Sequence, residues 1–294
     1  MQGTLIDSNH KDASDLTLRS DALSGKTEAL EALIKKHYSF IYNVALRMTL
    51  DPQDAEDVTQ EVVIRIITSL NSFEGKSSFR TWLYRIVCNH ILNMKKRHCE
   101  YAISGFETYG KELSNMPDHS FPKEYQNSPE EVMILEEVKL GCTAGMLMCL
   151  DREQRLIYIL GAIFEIDHVI GSEVLDITKD NFRQKLSRAK SQLRSFMNGQ
   201  CSLVNSNNKC KCNKKTKAFI EAGMVDPKKM TYNIDYQKKI NQILPAKDAE
   251  MAAELEDASV SLFQNAPFHE NKGLKSRLVE IINTNSLRKS LNIL

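Results

Sequence analysis

The sequence predicts an all-α protein of two small helical domains joined by a flexible linker, with a helical C-terminal extension. Three observations lead there. Glycine and proline are sparse, 12 and 7 in 294 residues, so few turns interrupt the chain. Apolar residues recur every three or four positions over long stretches, which is the period of a helix face. One stretch, 99–128, loses that period and separates two blocks that keep it. The length suits two small domains or one large one.

The first 25 residues are expected to be a flexible N-terminal segment. They carry Asp7, Asp12 and Asp15 and lack the apolar stretch of a secretory signal. The first domain, 26–98, holds three strong helical patterns. Over 27–49, Leu30, Leu33, Ile34, Tyr38, Ile41, Tyr42 and Ala45 share a face. Asp51-Pro52 then makes a turn, and proline suits a first helical position. Over 53–70, Ala55, Val58, Val62, Ile66 and Leu70 form one stripe. A loop around Gly75 leads to 78–97, where Phe79, Trp82, Leu83, Ile86, Val87 and Ile91 keep helical spacing.

Residues 99–128 read as a mildly acidic linker, broken by Gly105, Gly110, Pro117 and Pro122. The second domain spans 129–198, followed by a Cys-rich basic segment at 199–213. The extension, 214–294, has helical patches near 234–244, 247–264 and 274–291. Phe263, Phe268, Leu274, Leu278, Ile281 and Ile282 suit a small module that either docks on the two domains or binds a separate regulator.

Net charge is only +1, so the chain is no generic polycation. Its charges are nevertheless segregated. From Asn181 to Ile220 there are ten Lys or Arg and no acid, whereas Asp51 to Glu61 carries five acids and no base. Such segregation fits two partners of opposite character, or two solvated faces. No apolar run approaches the roughly 20 residues of a membrane span, so no membrane insertion is expected and the chain reads as cytoplasmic. In that compartment the seven cysteines are expected to be reduced.

Residues 167–194 have the organisation of a helix-turn-helix. A short helix, Asp167 to Leu175, meets the turn Asp176-Ile177-Thr178. Thr178 is a suitable N-cap, and Asp180 sits near the positive helix end. The second helix has Phe182, Leu186, Ala189 and Leu193 on one side. Lys179, Asn181, Arg183, Gln184, Lys185, Ser187 and Arg188 occupy the others. Lys, Arg and Ser suit phosphates, while Arg, Asn and Gln suit base edges, as a major-groove reader requires. An ordinary surface helix pair is the competing reading.

Two further runs carry a family resemblance. DAEDVTQEV and SSFRTWLYRI, within 53–98, resemble the core-binding and minus-ten domain of bacterial sigma factors, above all the extracytoplasmic-function group of the sigma-70 family. LDREQR and DITKDNFRQKLSRAK, within 150–193, are similar to that family's minus-thirty-five-reading domain. The resemblance implies a non-enzymatic transcription initiation factor whose partners are core RNA polymerase and double-stranded and melted promoter DNA. An anti-sigma factor is a further partner the family admits. No cofactor is required. Asp54, Asp57, Gln60 and Glu61 match the polymerase-binding surface. The loop from Phe73 and the helix after it match the part that melts the promoter and holds the non-template strand. Melted bases need stacking faces, small polar groups and cations for the backbone. Ser77, Ser78, Arg80, Tyr84, Arg85, Asn89, Lys95, Lys96 and Arg97 supply such groups. For Phe79 and Trp82, core packing is weighed above base stacking. Lys179, Asn181, Arg183, Gln184, Ser187 and Arg188 are the helix-turn-helix candidates. The turn has Asp176 where the family often has glycine, and Gly171 where a small alanine is common.

Cys201, Cys210 and Cys212 form a partial ligand set for zinc or a softer metal, one ligand short of a closed structural site. Lys209, Lys211, Lys214 and Lys215 are expected to lower the thiol pKa values. Unligated thiols in a basic segment are the competing reading. A second functional reading is a stand-alone helix-turn-helix regulator responding to metal or redox state. It leaves the acidic helix and SSFRTWLYRI without a role. No phosphate loop, triad or metal-hydrolase motif points to an enzyme.

Overall fold

The computed structural model describes residues 11–230 and 260–264, and among these every regular element is helical. The predicted patches at 234–244 and 274–291 lie outside the described residues, as does most of 247–264. The described chain forms two compact units, one of 11–97 and 159–184, the other of 98–158, 185–230 and 260–264.

The first unit opens with α1 (Lys11–Leu23), α2 (Thr27–Thr49), α3 (Pro52–Thr68) and α4 (Phe79–Asn93). The predicted stripes become its core. Leu30, Leu33, Ile34 and Ile41 of α2, Val58, Val62 and Ile66 of α3, and Leu83, Val87 and Ile91 of α4 are completely buried. Each such side chain contributes roughly 1.5–3 kcal/mol of hydrophobic stabilisation. Helix α3 starts with Pro52 in its first turn, and Asp51 accepts a hydrogen bond from the Asp54 amide at 2.8 Å. Ser78 caps α4 by accepting from the Thr81 amide at 3.0 Å.

Helix α1 corrects the expectation of a flexible segment over its own residues, 11–23, while residues 1–10 lie outside the described ones. Its sequence is polar, yet it packs on α2 and α4. The reason is a buried carboxylate. Asp15 is fully buried and pairs with Lys36, with His37 Nε2 at 3.3 Å and with Arg80 at 3.7 Å. Three bases surround the one acid, with Lys36 bonding Oδ1 while Oδ2 meets His37 and Arg80 only at ion-pair distance. Burial alone pushes the Asp15 pKa up, but the contacts and positive charges of His37 and Lys36 together outweigh it and leave the pKa below its ordinary value.

A π-helical turn at Ile159–Ile163, closed by Phe164 N–H donating to Ile159 O at 2.9 Å, leads to α9 (His168–Leu175) and α10 (Lys179–Gln200). Asp167 caps α9, accepting from the Val169 amide at 2.7 Å. Asp176 takes the left-handed conformation with φ 55° that ends α9. Thr178 Oγ1 accepts from the Asn181 amide at 3.2 Å, which is the predicted N-cap of α10. Gly171 proves to be a packing device. A Cβ there would lie 2.5 Å from the Phe182 ring, so the close approach of α9 and α10 requires glycine.

The second unit contains α5 (His98–Ala102), α6 (Phe106–Asn115), α7 (Pro129–Met148), α8 (Arg152–Tyr158), the body of α10, and α11 (Cys212–Glu221). Helices α5 and α6 correct the expectation of an irregular linker. Phe106, Tyr109 and Leu113 give α6 an apolar face, and Tyr109 donates to the Cys142 carbonyl of α7 at 3.0 Å. Gly145 makes room, since a Cβ there would meet the Tyr109 hydroxyl at 2.4 Å. Glu100 of α5 is nearly buried and bridges Arg152 and Arg155 of α8, the latter at 2.9 Å. Helix α11 packs on α7, and Lys214 O accepts from the His119 amide at 2.9 Å. From the extension, Phe263 is buried against Tyr158, with ring centroids 5.4 Å apart.

Candidate functional site

Three surfaces carry the sequence-predicted residues. The first is the outer face of α3. Ala55, Val58, Thr59 and Val62 turn inward, which leaves Asp57 and Glu61 exposed and Asp54 and Gln60 partly so. Two of the acids have basic neighbours. Arg97 donates to Asp54 at 3.0 Å, and Glu61 lies 3.1 Å from His90 Nε2. Burial lowers the His90 pKa, outweighing the upward pull of Glu61. The face is acidic, as predicted, with Asp54 tied to the end of the α4 segment.

The second surface is α4 and the loop before it. Ser78, Asn89, Lys95 and Lys96 are exposed and Ser77 is partly so. Arg80 and Tyr84 are not presented to solvent. Tyr84 is 5% exposed and stacks on Phe40 with centroids 3.8 Å apart, and burial raises its pKa far above the usual phenol range. Arg80 is 9% exposed and faces Asp15. Arg85 donates from Nε and a terminal nitrogen to the Glu173 carbonyl of α9, at 3.2 and 2.6 Å. The packing of α4 with α9 is reinforced nearby by Phe40 against Phe164 at 5.6 Å and by Arg47 over the Phe164 ring at 5.2 Å. Phe79 is fully buried with Trp82 and Phe73 around it, in agreement with the core role weighed for it.

The third surface is α10. Phe182, Ala189, Leu193 and Met197 are buried, with Leu186 intermediate. Lys179, Arg183, Gln184, Ser187 and Arg188 are exposed and Asn181 is half-buried. Arg183 pairs with Asp180 at 3.1 Å and with His168, both on the surface, where such pairs contribute about 0–1 kcal/mol. Farther along, Arg188 lines an open groove with Glu107 and Lys111 of α6 and Phe196. The cationic, amide-bearing face predicted for a groove reader is thus assembled and accessible.

The cysteines depart from expectation. Cys201 and Cys210 form an isolated parallel β-bridge, and Ser202 N–H donates to Cys210 O at 3.4 Å. Burial raises the thiol pKa of both and pushes that of Cys212 up to about 12. The expected lowering by lysines is therefore corrected: burial of the sulfurs outweighs the downward pull of Lys215 on Cys210, and Lys215 also bonds Asp118 and the Met116 carbonyl. Among the described residues, no three His, Cys, Asp or Glu side chains are gathered as metal ligands. Cys142 of α7, which sequence spacing could not nominate, shares electrostatic interactions with all three.

Comparison with known proteins fits this geometry. The family model described as Sigma-70 region 2 matches residues 33–99, which is α2 to the start of α5. RNA polymerase sigma factor YlaC of Bacillus subtilis is 25% identical over 170 residues, 58% of this chain and 92% of the relative. The ECF RNA polymerase sigma factor SigW of the same species is 26% identical over 171 residues, 58% of this chain and 89% of the relative. The solved structure of CnrH in complex with the cytosolic domain of CnrY overlaps 63% of this chain and 97% of that chain, at 19% identity and a TM-score of 0.44. The chain belongs to the sigma-70 family of transcription initiation factors, in its extracytoplasmic-function (ECF) group. It is a sigma factor, a non-enzymatic protein that directs RNA polymerase in promoter recognition and initiation.

Proposed function

We propose that this sigma factor binds core polymerase through the acidic face of α3, engages the melted minus-ten strand with α4 and its preceding loop, and reads the minus-thirty-five duplex with α10. The observation that carries this reading is the exposed row Lys179, Arg183, Gln184, Ser187 and Arg188 on a capped second helix across a three-residue turn. Such a row offers cations to phosphates and planar donors to base edges. On α3, Asp57 and Glu61 offer an acidic patch to a basic partner. The reading places the protein in the cytoplasm, where its polymerase is. No helix among the described residues is long and apolar enough to cross a membrane.

The test is transcription in vitro with core polymerase across a promoter library, with and without this protein. A motif enriched only in its presence, at two spaced elements, is the expected result. Transcription that does not depend on the protein would overturn the reading. Charge reversal at Asp54, Asp57 and Glu61 should weaken binding to core while circular dichroism shows the helical content unchanged. Unaltered affinity for core would remove α3 from the interface. A metal at Cys201, Cys210 and Cys212 is a separate proposal, and it requires these thiols to move closer together, since the described residues gather no three such ligands. Metal analysis of anaerobically purified protein decides it, and absence of stoichiometric metal sinks it.

A further inference from the structure

The loop between α3 and α4 is held at both ends, and one of the two pins comes from outside the family-matched segment. After α3 the chain makes a 3-10 turn at Leu70–Ser72, then passes Phe73 to Ser78 before α4 begins. The far end is fixed by Ser78, which caps α4 and whose hydroxyl lies 2.9 Å from the Thr81 hydroxyl. The near end is fixed by Arg19 of α1. Its Nε donates to the Leu70 carbonyl at 3.0 Å, and a terminal nitrogen donates to the Phe73 carbonyl at 3.4 Å. The same guanidinium lies over the Phe73 ring, 5.3 Å from its centroid. Phe73 in turn packs edge-on against Phe79 and Trp82 at 5.3 and 5.6 Å.

A planar guanidinium is suited to this work. It gives two carbonyls directed hydrogen bonds and an aromatic face a cation in one rigid group, which an ammonium on a flexible stem cannot do. Leu70 opens the 3-10 turn and Phe73 follows it, so the two bonds clamp the turn on both sides. Between the pins, Glu74, Gly75 and Lys76 are exposed, Ser77 is partly so, and Gly75 has φ +74°. Four residues strung between two fixed points have a narrow range of paths. Without Arg19, the last point held before the loop is the Phe73 ring, backed by buried Leu70 and the Ser72 N–H bond to Ser69 O at 2.8 Å.

We infer that Arg19 is a positioning residue for promoter melting: it sets the path of the Phe73–Ser78 loop so that the loop accepts a base of the melted strand. The inference rests on the assignment of that loop to the minus-ten strand. Arg19 touches no DNA in this arrangement; it acts through Leu70 and Phe73.

The experiment uses the full chain bound to core polymerase. Binding of a fluorescent single-stranded oligonucleotide carrying the minus-ten sequence is compared with binding of a scrambled one. Variants are Arg19→Ala, Arg19→Lys and, as a control on the loop, a Lys76→Ala/Ser77→Ala double. Core affinity and thermal midpoint are measured alongside. The ratio of specific to scrambled binding should fall about tenfold for Arg19→Ala, the scale of losing charge-assisted hydrogen bonds. Arg19→Lys should fall nearly as far, because it keeps the charge and loses the geometry. A purely structural role would lower the thermal midpoint and leave the ratio unchanged, which overturns the inference. So would full rescue by Arg19→Lys, which would assign the effect to charge. If the loop double also leaves the ratio unchanged, the loop itself has been misassigned.

Discussion

On α10, Lys179, Arg183, Gln184, Ser187 and Arg188 stand in solvent, whereas on α4 Arg80 and Tyr84 are buried and Arg85 is bonded to the Glu173 carbonyl. The two helices carry the same kinds of side chain and offer them differently. DNA meeting α10 displaces water and weak surface pairs. DNA meeting the buried stretch of α4 must replace an ion pair, an aromatic stack and two hydrogen bonds that the protein makes with itself. Changes on α10 should therefore read out in binding and leave stability alone. Changes around the buried part of α4 should read out first in stability.

The sharpest way to break this contrast is Asp15→Asn. It leaves Lys36, His37 and Arg80 around a neutral amide in the core. Removing one partner of a buried ion cluster costs about 3–5 kcal/mol, and urea unfolding should show it. The pH dependence has a defined sign. Because the folded-state pKa of Asp15 is lowered, its contribution is present above the ordinary carboxylate value and is lost as pH falls through the lower folded value. The acid limb of the stability curve should thus flatten in the variant. An unfolding free energy within 1 kcal/mol of the parent, by the linear extrapolation, would mean that α4 is not held this way.

Gly171→Ala tests the other side. The added methyl would meet the Phe182 ring, so α9 and α10 must separate or the ring must move. Overpacking of this kind costs about 1–3 kcal/mol. Thermal unfolding should show it, with weaker duplex binding in proportion. If the variant is as stable as the parent, the close packing of the two helices is not what sets the angle of α10.

The elements that were legible in the sequence are those whose buried faces are apolar. Helices α2, α3 and α4 bury Leu, Ile and Val at helical spacing, and α10 does so around Phe182 and Leu193. Helix α1 inverts that pattern: it buries Asp15 and exposes Leu16 at 40%, so hydrophobic periodicity could not reveal it. Helix α6 did carry a signal in Phe106, Tyr109 and Leu113, but Gly105 and Gly110 read as breakers. Gly110 is there for fit, since a Cβ would come within 3.1 Å of Phe196. On α10 the accessible face follows from helical period alone. On α4 the fate of Arg80 depends on Asp15, 65 positions earlier, and that of Arg85 on Glu173, 88 positions later. No local pattern encodes pairings at that distance.

Arg183→Ala sharpens the comparison at moderate size. If Arg183 contacts a base edge, its loss costs about 1–3 kcal/mol of promoter discrimination, while unfolding is unchanged within about 0.5 kcal/mol. Arg85→Ala should reverse the order. It removes two solvent-exposed hydrogen bonds to Glu173 and lowers stability by roughly 0.5–1.5 kcal/mol, the net range for an intramolecular hydrogen bond. Competition binding against a mutated minus-thirty-five site, run beside urea melts, separates the two. Equal loss of stability in both variants would erase the distinction drawn between the helices.

The smallest effect belongs to Lys179, and it tests whether the exposed face of α10 is all of one kind. Lys179 opens the helix, is exposed and has a flexible ammonium rather than a planar fork. At a helix N-terminus the backbone amides and the helix dipole already favour an anion, and a lysine there adds a diffuse charge. A phosphate is the partner such a group suits. Neutralising one phosphate contact changes the salt slope of duplex binding by about 0.9. Lys179→Ala should therefore lower the slope of log affinity against log salt by about that amount, weaken specific and nonspecific duplexes alike, and leave their ratio within about twofold, since phosphate contacts carry no sequence information. Titrations at four or five salt concentrations on both duplexes resolve this. A changed ratio with an unchanged slope would place Lys179 at a base edge, and would extend the base-reading face of α10 to its first turn.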